Sequence, residues 1–364
     1  MSFCDLAVSG VADLQPYVPG KPIEELQRQY GVRDVIKLAS NENPLGPSKA
    51  ALAAVAKSSK EMTRYPDGNG YTLKMALAEK LRLSPQQITL GNGSNDVLEL
   101  LARTFAGHGD EVIYSEHAFA VYPLAVKAIG ATGIATPAKD YGHDLKAMLK
   151  AISPRTKLIF IANPNNPTGT WIESAEVQAF LDKVPEKVLV VLDEAYVEYL
   201  EQTESSVNWL QSFDNLIITR TFSKAYGLAG LRVGYALSHP EIADLLNRIR
   251  QPFNVNSLAQ AAAVAALGDE SYLQQSREVN QTGMLQLTGG FDKMGLKYIP
   301  SKGNFITVNV HTNAAEVYDE LLYEGVIVRP IAGYGLPQHL RVSIGLEQEN
   351  QRFLEALSRV LGRG

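Results

Sequence analysis

Six short runs rich in β-branched residues constrain this chain most: QITL at 87–90, EVIY at 111–114, KLIFIA at 157–162, KVLVVL at 187–192, NLIIT at 215–219 and LRVGYAL at 231–237. Most are separated by helix-length segments. Parallel neighbours need crossovers of roughly a dozen residues, commonly helices, so the alternation predicts an α/β fold with a mainly parallel central sheet covered by helices.

After the last run the spacing changes. Helical patterns at 256–268 and 270–292 are followed by shorter strand-like runs at 304–310, 326–329 and 340–344, then a helix near 347–361. A smaller α+β unit is expected there. Residues 1–45 hold Pro16, Pro19, Pro22 and Pro44 around one short helix at 22–30, which reads as an arm lying across a larger body. The expected division is an arm at 1–45 packing with the small domain, a large domain at 46–258 and a small C-terminal domain at 259–364.

Charge and cysteine usage remove several function classes. Lys and Arg number 34 against 39 Asp and Glu, with no basic stripe or helix-turn-helix pattern, so no nucleic acid is expected. The single cysteine, Cys4, excludes an intrachain disulfide, and six scattered histidines lack zinc spacing, so no metal is expected. No apolar run reaches the roughly 20 residues of a membrane span, and no basic-then-apolar leader opens the chain. A cytoplasmic location without membrane contact is expected.

In open α/β sheets the functional loops follow the carboxyl ends of strands. Four such places are unusual. Gly91-Asn92-Gly93-Ser94-Asn95-Asp96 runs into a helix and offers backbone N–H groups to an anion, or forms a tight turn capped by Ser94 or Asn95. Asp96 stands where a dinucleotide fingerprint needs its third glycine. Asn163-Pro164-Asn165-Asn166-Pro167-Thr168-Gly169 is a rigid, amide-rich loop that holds a ligand or makes a turn.

Asp193 arrives as an apolar strand ends, where a buried carboxylate requires a cation unless it merely caps a helix. Lys224 lies in the Gly- and Ala-rich segment 220–235, which also carries Arg220 and Arg232. A desolvated lysine near another cation becomes an amine nucleophile toward carbonyl compounds. An anion cradle, an amide clamp, a buried acid and such an amine together complement pyridoxal 5'-phosphate. Its phosphate suits the helix start, its ring nitrogen Asp193, its phenolic oxygen Asn166 and Tyr196, and its aldehyde Lys224.

The stretches LASNENPLGPS at 38–48, RYPDGNGYTLKMALA at 64–78, NPNNPTG at 163–169, LDEAYVEY at 192–199, RTFSKAYGLAGLRVGYAL at 220–237 and LRVSIG at 340–345 resemble the fold-type-I pyridoxal-phosphate aminotransferases over nearly the whole chain. Within them the likeness is to the histidinol-phosphate branch. The resemblance implies that Lys224 carries the cofactor and acts as the base. It further implies that Asp193 keeps the ring nitrogen protonated, that Asn166 and Tyr196 hold the ring oxygen, and that Ser94, Asn95, Ser223 and Arg232 meet the phosphate. Phe119 stands where an aromatic ring stacks on the cofactor, often a tyrosine in relatives. Tyr65 corresponds to a tyrosine reaching the neighbouring subunit's cofactor, which implies a homodimer.

Arg341 resembles the arginine that grips the substrate's anionic end, with Arg329 as a second anion contact and Tyr17 and Asn304 closing over the substrate. The implied small-molecule substrates are histidinol phosphate and the glutamate/2-oxoglutarate pair. An aromatic amino acid aminotransferase, or a decarboxylase of a phosphorylated amino acid, remains open on the same scaffold, since Arg341 suits a carboxylate as well as a phosphate.

Overall fold

The six apolar runs pair into one sheet in a computed structural model, which describes residues 3–8, 10–16, 20–200 and 205–362. Its strands are β1 (Ile88–Gly91), β2 (Glu111–Ser115), β3 (Thr132–Thr136), β4 (Thr156–Ala162), β5 (Leu189–Asp193), β6 (Leu216–Thr221) and β7 (Gly234–Leu237), in the spatial order β1-β7-β6-β5-β4-β2-β3. Only β7 runs antiparallel to its neighbours. The fold class is as expected. Alternate residues of β4 enter opposite cores, Ile159 and Ile161 on one face and Leu158 and Phe160 on the other, so both sheet faces are covered.

Because β1, β4, β5 and β6 are parallel, Gly91, Ala162, Asp193 and Thr221 all end at one edge of the sheet. Antiparallel β7 begins at that same edge, with Gly234 opposite both Gly91 and Thr221. The four loops singled out above therefore converge.

The second sheet contains β8 (Tyr298–Ile299), β9 (Phe305–Asn309), β10 (Arg329–Ile331) and β11 (Leu336–Ser343), antiparallel in the order β8-β9-β11-β10. Ile306, Val308, Leu340 and Val342 pack with Leu287, Phe291 and Phe353 into a separate core. One stretch of the N-terminal 45 residues joins this side. Ile36–Lys37 pairs in parallel with Val326–Ile327, and Ile36 and Leu38 join the same core.

Around the expected boundary at 258/259 the helices pack as follows. Helix Ser257–Leu267 has Ala259, Ala262, Ala263 and Ala266 fully buried in the larger core, where their small side chains allow close approach to helices Lys49–Ser58 and Tyr71–Leu81. Helix Glu270–Lys293 then passes between bodies, with Leu273 in the larger core and Leu287 and Phe291 in the smaller.

Candidate active site

At the carboxyl edge of the large sheet, a cavity of about 170 Å³ is lined by Ser94, Asn95, Phe119, Asn166, Asp193, Tyr196, Ser223, Lys224, Arg232 and Arg341, among others. Lys224 is half-buried there. Its Nζ donates to the Ser40 carbonyl at 3.0 Å and lies 5.8 Å from the centre of the Tyr196 ring. Burial, reinforced by the Arg341 and Arg232 charges and opposed by Glu42 and Asp193, lowers its pKa to about 7. A free amine is therefore present near neutral pH.

Asp193 is buried on the cavity floor. Its Oδ2 accepts from the Tyr122 hydroxyl at 2.8 Å and its Oδ1 from the Thr219 hydroxyl at 3.0 Å. Burial raises its pKa to about 6, while these donors and the Ala195 N–H restrain the rise and Glu194 adds to it. Its bonded partners are neutral donors, so a ligand cation could meet the charge.

The anion cradle is built from backbone. Gly93 occupies the N-cap of helix Ser94–Phe105 at φ +84°, and no side chain caps that helix. The first-turn N–H groups and the positive end of the helix dipole stay available to an anion. Arg232, itself left-handed at φ +55°, donates from one guanidinium nitrogen to Ser223 Oγ at 3.2 Å and to the Ala229 carbonyl at 3.1 Å. A Cβ at Gly93 would strike the Arg232 guanidinium, and one at Gly234 the Ser94 N–H. Only glycine permits this approach.

Arg341 closes the opposite wall, donating to Asn166 Oδ1 and to the Ala39 carbonyl, both at 2.6 Å, and lying over the Phe305 ring. With its oxygen so engaged, Asn166 has its NH₂ left as donor for a ligand. Asn41 donates to the Tyr196 hydroxyl at 2.9 Å, which keeps that O–H available as a donor.

The family model "Aminotransferase class I and II" matches residues 33–357. The chain belongs to the class I and II aminotransferases. Histidinol-phosphate aminotransferase 2 of Pseudomonas fluorescens is 59% identical over 367 residues, spanning 100% of this aminotransferase and 99% of the relative. Histidinol-phosphate aminotransferase 1 of Nitrosococcus oceani is 59% identical over 361 residues, 99% and 98% of the two chains. A crystal structure of histidinol-phosphate aminotransferase from Sinorhizobium meliloti in complex with pyridoxal-5'-phosphate has a TM-score of 0.89 at 31% identity and covers 96% of each chain.

Not every residue expected at the site of this aminotransferase reaches the cavity. Asn304 is absent from the cavity lining: it is buried, and its amide donates to the carbonyls of Asn41 at 3.0 Å and Glu42 at 3.4 Å. Standing just before β9, it braces that turn. Arg329 stands opposite Arg341 on β10 but lines a neighbouring cavity of about 530 Å³ with Tyr114, Tyr318 and Tyr334. Tyr65 is 82% exposed, stacked on Phe253, outside its own chain's cavity. Tyr17 lies outside the described residues.

The sequence reading gave no role to Tyr122, Asn41 or Glu194. Asn41 lies within the matching 38–48 stretch, a signal that could have marked it, and Glu194 directly follows Asp193. Arg220 pairs with Glu194 one residue beyond Asp193, at 2.7 and 2.9 Å through two guanidinium nitrogens, both side chains being buried. Arg220→Ala is expected to strand the Glu194 charge and cost about 3–5 kcal/mol of stability, read by urea unfolding of the apoenzyme. A loss of under about 1 kcal/mol would mean the pair is not structural.

Proposed function

We propose that this chain is a pyridoxal-phosphate-dependent histidinol-phosphate aminotransferase, exchanging the amino group between L-histidinol phosphate and 2-oxoglutarate in histidine biosynthesis. The observation that carries the substrate assignment is 59% identity, over 100% of this chain, to a relative named for that substrate. The residues present fit the cofactor. A buried acid bonded to neutral donors suits a protonated ring nitrogen, the uncapped helix start with Ser223 and Arg232 suits a phosphate, and Phe119 offers a ring face.

Bound there, pyridoxal phosphate supplies an aldehyde that condenses with amines and a ring that takes up the electron pair of a broken bond. The chain supplies the rest. Lys224, a free amine near neutral pH, removes and returns the proton at the substrate's α-carbon. Asp193 would set a negative charge against a protonated ring nitrogen, and Asn166 and Tyr196 would donate to the ring oxygen. Arg341, in the cavity wall, draws in the substrate's anionic end.

A homodimer fits the exposure of large apolar side chains such as Tyr65 and Phe253, which stack on one another; Tyr65 would reach the second subunit's phosphate. A cytoplasmic location fits the single cysteine.

The test is a half-reaction screen, following the absorption of the loaded enzyme after adding histidinol phosphate, phenylalanine, tyrosine, aspartate or threonine phosphate. Fastest conversion by histidinol phosphate is expected; preference for phenylalanine or tyrosine would move the assignment to the aromatic branch. Arg341→Ala should raise KM for histidinol phosphate and glutamate by about tenfold or more, and unchanged kinetics would place the anion site elsewhere. Uptake of pyridoxal phosphate by the apoenzyme should accelerate from about pH 6 to pH 8 and then level off, because the Lys224 amine is free above about 7. A rate still climbing toward pH 10 would indicate an ordinary lysine.

A further inference from the structure

We infer that Tyr122 is a positioning residue that fixes the charge and direction of the Asp193 carboxylate. Tyr122 is wholly buried on helix Val121–Ala128, where a hydroxyl without a partner would be costly, and its O–H donates to Asp193 Oδ2 at 2.8 Å. Its ring lies flat on Phe160 of β4, centroids 4.7 Å apart and planes 5° apart, and meets Phe119 edge-on at 5.9 Å. Those contacts leave the ring little freedom to turn.

The placement ties two walls of the cavity together. Phe119 lies just before that helix, and its carbonyl accepts from the Tyr122 N–H at 3.0 Å, so the ring lining the cavity is tied by backbone and by ring contact to the residue whose hydroxyl holds Asp193. The Thr219 hydroxyl holds the other carboxylate oxygen, so both oxygens are anchored from beneath. Burial and the Asp193 charge raise the pKa of the Tyr122 phenol well above the ordinary tyrosine range, so it stays a donor.

Loss of that donor has a definite sign. The titratable and charged groups facing Asp193 are Tyr122 from the helix, Glu194 from its own strand end, Tyr196 from the following turn and Lys224 across the cavity. Of these, the Tyr122 hydroxyl stabilises the carboxylate through a hydrogen bond and Glu194 opposes it. Removing the hydroxyl therefore raises the Asp193 pKa further, and the neutral acid meets a protonated ring nitrogen poorly.

The inference rests on the cofactor reading, and the experiment separates the two. Apoenzyme and its Tyr122→Phe variant, which keeps the stacked ring, are titrated with pyridoxal 5'-phosphate between about pH 5.5 and pH 8. The ratio of their Kd values cancels the ligand's own ionisations. It should be within about threefold at pH 8 and grow to tenfold or more at the acid end. The same substitution made in an Asp193→Asn background should give a ratio that does not vary with pH. A wild-type background ratio flat across the range, at any value, would overturn the inference, since lost packing alone carries no such dependence. Failure of the unaltered apoenzyme to bind the compound at every pH would overturn both readings.

Discussion

Lys224→Ala is expected to retain the fold and lose transamination by more than about a thousandfold, because the proposed function has this one side chain both anchor the cofactor and move the proton. Its surroundings explain why no other group substitutes. Among the residues lining the cavity, Arg232 and Arg341 are the other cations, and an arginine does not give up its proton at neutral pH. The side chain also donates one hydrogen bond to the Ser40 carbonyl, so its loss should lower stability only slightly. Steady-state assays beside a thermal melt check both halves; activity within tenfold of the parent would remove Lys224 from the chemistry.

Asp193→Asn should lower kcat/KM by about a hundredfold or more while leaving the apoenzyme as stable as the parent, or more stable, at pH 8. The sign follows from the pKa. Burial raises the folded-state value from 3.8 to about 6, so the ionised carboxylate costs folding free energy that grows between those values and is fully present above about 6. Removing the charge relieves that cost, and the Tyr122 hydroxyl can turn to accept from the new amide. Stability and function thus part company at this position. Urea unfolding at pH 5 and pH 8 beside kinetics reads both; a variant that keeps its activity would contradict the charge's role.

Much of this site was legible because it is written at strand ends. Apolar runs such as KLIFIA and KVLVVL are buried on both faces, which makes them conspicuous, and the loops after them line the cavity. Strand β3 escaped notice because Thr132–Thr136 is an edge strand with mostly exposed or half-buried residues and a glycine. The expected strand at 231–237 starts only at Gly234, since Arg232 is spent on a left-handed turn that turns its guanidinium toward Ser223.

What the sequence concealed are contacts between distant positions. Tyr122 to Asp193 spans 71 residues and Asn41 to Tyr196 spans 155, and no local spacing encodes either. Asn304 illustrates the converse. Its residue type suits substrate binding, yet the fold buries it against the 41–42 turn.

The central claim, that Lys224 condenses with pyridoxal phosphate, is tested most directly by borohydride reduction of the loaded enzyme followed by peptide mapping. A single pyridoxyl group on the peptide containing Lys224 is expected. A protein that takes up no chromophore, or one labelled at another lysine with Lys224 untouched, would contradict it.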